Sequence, residues 1–331
     1  MEISEKLRQR FCKDMNISIQ LYQTPFFEDR IELMGYEKEY NEFVHFVTST
    51  FKNEEEYFAY YNELKDKIID FIKNSETYKA LQEDTSICKR PDLNIKQGDT
   101  YKESCIGKEF LSIDMKKANF SALVKYGNVC GKKFFDSYDY EKFMKQFTPY
   151  DYFAKSKYIR QVVFGNCNPK RQIAYETSLM SNLLTFITHN SVYTGLTMDD
   201  VYSLNSDEVI FDITNKDNDE FVYKLKEFLS MTEMYDLPLR VEKFQIGKLE
   251  GTKAYVKLFD NGKYELKCVN PYEAPFIYRY MQNDDSIGYD RYFMYEGKLA
   301  RFEEKPEIRL VTNKNQEISL QESVECDELE R

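Results

Sequence analysis

FLSIDMKKANF, residues 110–120, and LNSDEVIF, residues 204–211, decide how this 331-residue chain reads. Each sets a carboxylate at the end of a short apolar run: Asp114 follows Phe110, Leu111, Ser112 and Ile113, while Asp207 and Glu208 precede Val209, Ile210 and Phe211. A brief apolar run bounded by charge reads as a buried strand. If the two strands are neighbours in one sheet, Asp114 and Asp207 come within reach of one or two divalent ions. Carboxylate oxygens suit Mg²⁺ or Mn²⁺. Such ions activate an attacking hydroxyl and neutralise a leaving pyrophosphate. Taken singly the motifs say less: Asp114 can simply end a strand, and Asp207 and Glu208 read equally well as turn residues.

Helical patterns surround these strands. Residues 172–189 and 221–232 have helical patterns, the second stopping near Pro238. Upstream, residues 1–82 read mostly as helix. The stretch 54–72 repeats Phe58, Tyr61, Leu64, Ile68, Phe71 and Ile72 at steps of three and four, with Asn53 as its N-cap; an earlier helix covers 3–14. Residues 83–108 are polar, contain Pro91, and read as a connector. Beyond 245 the chain turns β-rich. Residues 255–259 and 264–268 flank Asp260-Asn261-Gly262-Lys263, a hairpin signal, and further hairpins are expected at Glu296-Gly297 and at 313–316. The expected class is α+β: a helical region (1–82), a connector (83–108), a central sheet backed by helices (109–245) and a hairpin-rich region (246–331).

Composition excludes several classes. Hydrophobic residues make up 42% of the chain, too many for disorder. No apolar run approaches the ~20 residues of a membrane span, and the charged start lacks the apolar core of a secretory leader. The expectation is a cytoplasmic protein with no membrane partner. The seven cysteines form no C-x-x-C pair, which favours reduced thiols. Only two histidines are present: His45, in an apolar setting that suggests core packing, and His189, beside Asn190 at an expected helix end. Carboxylates are therefore the better candidates for chemistry.

The net charge of −11 hides an uneven distribution. Residues 115–135 hold five lysines and no acid, and 152–175 hold five bases (Lys155, Lys157, Arg160, Lys170, Arg171) and no acid. Residues 199–220 carry eight acids and one base. Solvated faces of opposite sign are one reading. A phosphate-binding surface beside a cation-seeking carboxylate cluster is the other.

In order and spacing, residues 109–245 resemble the palm domain of nucleic-acid polymerases and related nucleotidyltransferases. Ser112 to Phe120 resembles motif A of the reverse-transcriptase type. Lys170-Arg171-Gln172, leading into residues 177–184, is similar to motif B. Ser206-Asp207-Glu208 resembles motif C, and also the Ser-Asp-Glu of the tRNA-guanylyltransferase-like 3′–5′ polymerases; Lys243 stands where motif D carries its lysine. The chain departs from the reverse-transcriptase pattern in having Asp207-Glu208 rather than paired aspartates, in lacking Pro-Gln-Gly, and in setting Asn119 where the sugar-gate aromatic is expected, with Phe120 one place later.

The resemblance implies a palm-like antiparallel sheet and Mg²⁺-dependent nucleotidyl transfer. Asp114 and Asp207 would hold metal, with Glu208 as a further catalytic carboxylate. Lys116, Asn119, Phe120, Lys170, Arg171 and Lys243 would contact the nucleotide. The implied partners are a nucleoside triphosphate and single-stranded or primer-template nucleic acid. Two other classes fit the composition: a noncatalytic nucleic-acid-binding accessory protein, whose 27 Tyr and 25 Phe offer stacking surfaces, and a structural or interaction protein.

Overall fold

The computed structural model describes residues 2–88, 93, 95, 98–216, 220–231, 236–286 and 288–312. Five helices come first: α1 (Glu5–Asp14), α2 (Phe26–Leu33), α3 (Glu37–Thr50), α4 (Glu54–Asn74) and α5 (Glu76–Glu83). As expected, Asn53 caps α4, its side-chain oxygen accepting the Glu56 N–H at 2.9 Å. The buried stripe of α4 is rotated from the expected one. It runs through Tyr57, Tyr61, Leu64, Ile68, Ile69 and Ile72, leaving Phe71 exposed. Asn53→Ala removes the cap and should cost about 1 kcal/mol in urea unfolding. His45 is exposed on α3 rather than in the core, because the buried positions there are Phe43 and Val47.

Strand β1 (Glu109–Met115) then enters the sheet. A long crossover of helices follows: α6 (Ala118–Cys130), α7 (Tyr140–Met144), α8 (Asp151–Lys155), α9 (Lys157–Gly165), α10 (Pro169–His189) and α11 (Ser191–Thr194). Strands β2 (Val201–Leu204) and β3 (Glu208–Asp212) form a hairpin, and α12 (Glu220–Met231) leads to the long strand β4 (Leu239–Glu250). The order β2-β3-β1-β4 is antiparallel throughout. With helices between β1 and β2 and between β3 and β4, this is the split β-α-β arrangement of ferredoxin-like sheets.

The sheet does not stop there. Beyond β4 it gains β5 (Tyr255–Phe259) and β6 (Tyr264–Lys267), the hairpin expected around Asn261-Gly262; Gly262 supplies the positive φ of 81° that the turn needs. Helix α13 (Ala274–Met281) covers this extension, a separate hairpin joins β7 (Tyr292–Tyr295) to β8 (Lys298–Arg301), and β9 (Arg309–Val311) pairs with β4. The boundary expected at 245/246 falls inside β4, so one sheet runs across it. The hairpin expected at 313–316 lies outside the described residues.

Alternation along β1 sorts the sheet into two faces. Leu111, Ile113 and Met115 pack with Met180, Leu183, Leu184 and Ile187 of α10 and Leu225 and Leu229 of α12. Phe110 packs on the other face with Ile210, Phe244 and Ile246. Ser112 and Asp114 continue that second face. A third core joins α1–α5 to α6–α9, and Phe120, fully buried, lies within it.

Candidate active site

β1 and β3 are neighbours, and their register pairs Asp114 with Glu208 and Ile113 with Val209. The ladder continues one step, the Met115 N–H donating to the Asp207 carbonyl at 2.8 Å. Asp207 therefore sits in the β2–β3 turn directly beside the end of β1. Asp114 and Asp207 both line a cavity of about 360 Å³ at that end. This is within the size of ordinary small-molecule sites. Much of the remaining lining is helical, from Arg160, Gln161 and Phe164 of α9 and Gln172 and Glu176 of α10, with Lys117 and Asn119 at the start of α6.

The acidic side is held in a definite pattern. Arg240, opposite Asp114 on β4, donates from Nη2 to Asp114 Oδ2 at 3.1 Å, and its Nε lies 3.5 Å from Glu242. Ser112 Oγ donates to Glu208 Oε1 at 2.6 Å. Glu208 thus stands beside Asp114 on the sheet surface but does not line the cavity. Glu176 does, and it was not among the residues expected from sequence. Its carboxyl is buried, and burial, reinforced by the nearby charge of Asp207, pushes its pKa up to about 7. Two non-glycine residues with positive φ flank the cavity: Lys117 (φ 50°) before α6 and Asn168 (φ 50°) before α10. Such backbone is costly for a lysine and clusters at functional sites.

Several expected nucleotide contacts are placed elsewhere. Phe120 is core, ringed by Phe134, Phe135, Tyr140 and Phe143, so no sugar can reach it; helix α6 turns it inward while Asn119 faces the cavity. Lys243 aligns with Leu111, four residues short of Met115, and pairs with Glu109 at 3.6 Å, so Arg240 is the cation beside Asp114. Arg171 donates from Nε to the Leu81 carbonyl at 2.7 Å and also bonds the Asp84 carbonyl, closing the end of α5 onto α10. Lys170 is exposed, and neither Lys170 nor Lys116 lines the cavity. Arg171→Ala should consequently lower stability, by about 1 to 2 kcal/mol in urea unfolding. An unchanged midpoint would show that the clamp is idle.

Arg160, named in the sequence only as one of the five bases of 152–175, was not singled out as a site residue. Its signal was present in the sequence: a cation on the apolar stripe Ile159, Val163, Phe164 of α9, where a solvated charge does not belong.

Oxygen donors of this kind suit Mg²⁺. Among the described residues no three His, Cys, Asp or Glu side chains group closely enough to hold an ion alone. No helix among the described residues is long and apolar enough to cross a membrane. No protein-family model, curated protein or solved structure matches the chain.

Proposed function

We propose that the chain is a palm-type nucleotidyltransferase, acting with Mg²⁺ on a nucleoside triphosphate. The observation that carries this reading is the convergence of Asp114 and Asp207, from neighbouring strands of a split β-α-β sheet, on one cavity. Asp114 and Asp207 would hold the ion, whose contribution is charge neutralisation at the transferring phosphoryl group and activation of the attacking hydroxyl. In the reaction an oxygen nucleophile attacks the α-phosphorus, a new P–O bond forms, and the α–β bridging bond breaks to release pyrophosphate. The hydroxyl proton passes to water.

The chain's own residues have distinct tasks. Arg240 orients the Asp114 carboxylate through its 3.1 Å bond. Ser112 fixes Glu208, so that Glu208 supports the acidic face without entering the cavity. Asn119 and Lys117, which line the cavity, would meet sugar and phosphate. The test is incorporation of labelled nucleotide across a panel of NTPs, dNTPs and primers, with and without Mg²⁺, alongside thermal stabilisation by nucleotide. Stabilisation that requires Mg²⁺ supports the enzyme. Oligonucleotide binding indifferent to Mg²⁺, with no incorporation, would favour the accessory role.

A further inference from the structure

Arg160 is 6% exposed, yet among the described residues its guanidinium makes no hydrogen bond and no ion pair; it lies over the Tyr140 ring, 5.7 Å from its centre. Burial without a counter-charge lowers its pKa. A buried cation left so is expensive, and proteins normally pair it. Its place is nonetheless firmly set. Ser156 caps α9 by accepting the Ile159 N–H at 3.1 Å and donates to the buried Asp14 carboxylate at 2.8 Å, which fastens α9 to α1.

A further donor belongs to the lining of the same cavity. The Gln172 amide nitrogen is buried without a hydrogen-bond partner, and Gln172 lines the cavity. Helix α10, 21 residues long, begins there with Pro169, which has no N–H, and the Asn168 carbonyl accepts the Arg171 and Gln172 N–H groups at 3.1 and 3.4 Å. A buried amide donor without a partner and an unpaired guanidinium therefore belong to residues that line one cavity. Arg160 makes no ion pair with Asp114, Asp207 or Glu176, although all four line that space. Arg160 and these carboxylates, lining one cavity without pairing with one another, suit a group that is itself charged at both ends. A polyphosphate chelating a divalent cation is such a group.

We infer that Arg160, with Gln172, forms a phosphate subsite that binds the polyphosphate of a nucleotide in the cavity that Asp114 and Asp207 also line. The identity of the anion as a nucleotide's polyphosphate rests on the transfer reading above; the anion subsite itself does not. Arg160 replaces Lys170 and Arg171 as the phosphate ligand, because it lines the cavity while Lys170 does not and Arg171 is bonded to the Leu81 and Asp84 carbonyls; its guanidinium offers two parallel donors to phosphate oxygens.

The experiment uses the full chain and inorganic tripolyphosphate in EDTA, read by calorimetry and thermal shift. Wild-type protein should bind and be stabilised. Arg160→Met should weaken binding about 10- to 100-fold, the loss expected for charge-assisted hydrogen bonds. Its unliganded melting temperature should equal or exceed that of wild type, since an unpaired buried charge has been removed. Arg160→Lys, which keeps the charge without the fork, should retain part of the affinity. The pair Lys132→Ala with Lys133→Ala removes twice the charge elsewhere and should leave binding unchanged. Tripolyphosphate bound equally by wild type and Arg160→Met would overturn the subsite. So would a fall in the unliganded melting temperature of Arg160→Met by several degrees, which would make Arg160 a structural residue. If Arg160→Met fails to fold, the Arg160 assignment falls for the same reason, unless Arg160→Lys folds with reduced tripolyphosphate affinity, which supports it. Asp114→Asn should keep metal-free binding. Loss of incorporation in that variant therefore bears on nucleotidyl transfer and leaves the anion subsite standing.

Discussion

Asp114→Asn is expected to abolish nucleotide incorporation while leaving the chain folded. The substitution keeps side-chain volume nearly constant and removes one negative charge from the end of β1. The amide oxygen still accepts from Arg240, now 3.1 Å from Asp114 Oδ2, and Arg240 keeps Glu242 within 3.5 Å, so the local ion pairs survive in part. What is lost is the charge that would hold a cation against the transferring phosphoryl group. Removing one preorganised charge-stabilising group elsewhere costs about 10² to 10³ in kcat, and a metal ligand should cost at least that. Asp207→Asn should be similarly severe, because Asp207 lines the same cavity. Glu208→Gln should be milder, since Glu208 is bonded to Ser112 and stands outside it. The order Asp114 ≈ Asp207 > Glu208 is measured by single-turnover incorporation at saturating Mg²⁺. Wild-type protein that incorporates nothing across the panel removes the transferase reading altogether. Equal losses in all three variants would show that charge on the sheet, rather than placement in the cavity, is what matters.

The fold was legible where local periodicity decides structure. The strands at 110–113 and 209–211, the helix opening at Asn53 and the turn at Asn261-Gly262 all follow from patterning and capping chemistry that need no tertiary information. The boundary at 245/246 was not legible, because a long strand serving two parts of one sheet looks in sequence like two shorter segments. The site was legible by half. Strand-end position marked Asp114 and Asp207, but which side of a helix faces a cavity depends on packing. Thus Phe120, one residue from Asn119, is core while Asn119 lines the cavity, and Lys170 and Arg171 face away from the wall that Gln172 and Glu176 form. Arg160 and Glu176 are charges on helix faces that otherwise bury apolar groups. That mismatch is visible in the sequence once the helical phase is known, and the phase was the missing quantity.

Glu176 gives this argument a thermodynamic consequence. Its folded-state pKa of about 7 is raised above the ordinary glutamate value, chiefly by burial and next by the charge of Asp207. Between the unfolded pKa, about 4.3, and the folded one, the native chain binds more protons than the unfolded chain does. Stability must therefore fall as pH rises through this window and level off above it. At pH 8 the penalty for ionising Glu176 in the fold is on the order of 3 kcal/mol, and below pH 4 it vanishes. Asp14, buried and raised to about 6 in spite of its bonds to Tyr152 and Ser156, adds a slope of the same sign over a lower range. Glu176→Gln removes the first contribution and leaves the second. The variant should be more stable than wild type at pH 8 by up to about 3 kcal/mol and close to wild type at pH 4, as measured by urea unfolding at each pH. Asp207→Asn, by removing the repelling charge, should give a smaller gain in the same direction. If Glu176→Gln were destabilising at pH 8, the carboxylate would be making a favourable contact that offsets its burial, and its place in the cavity would be structural.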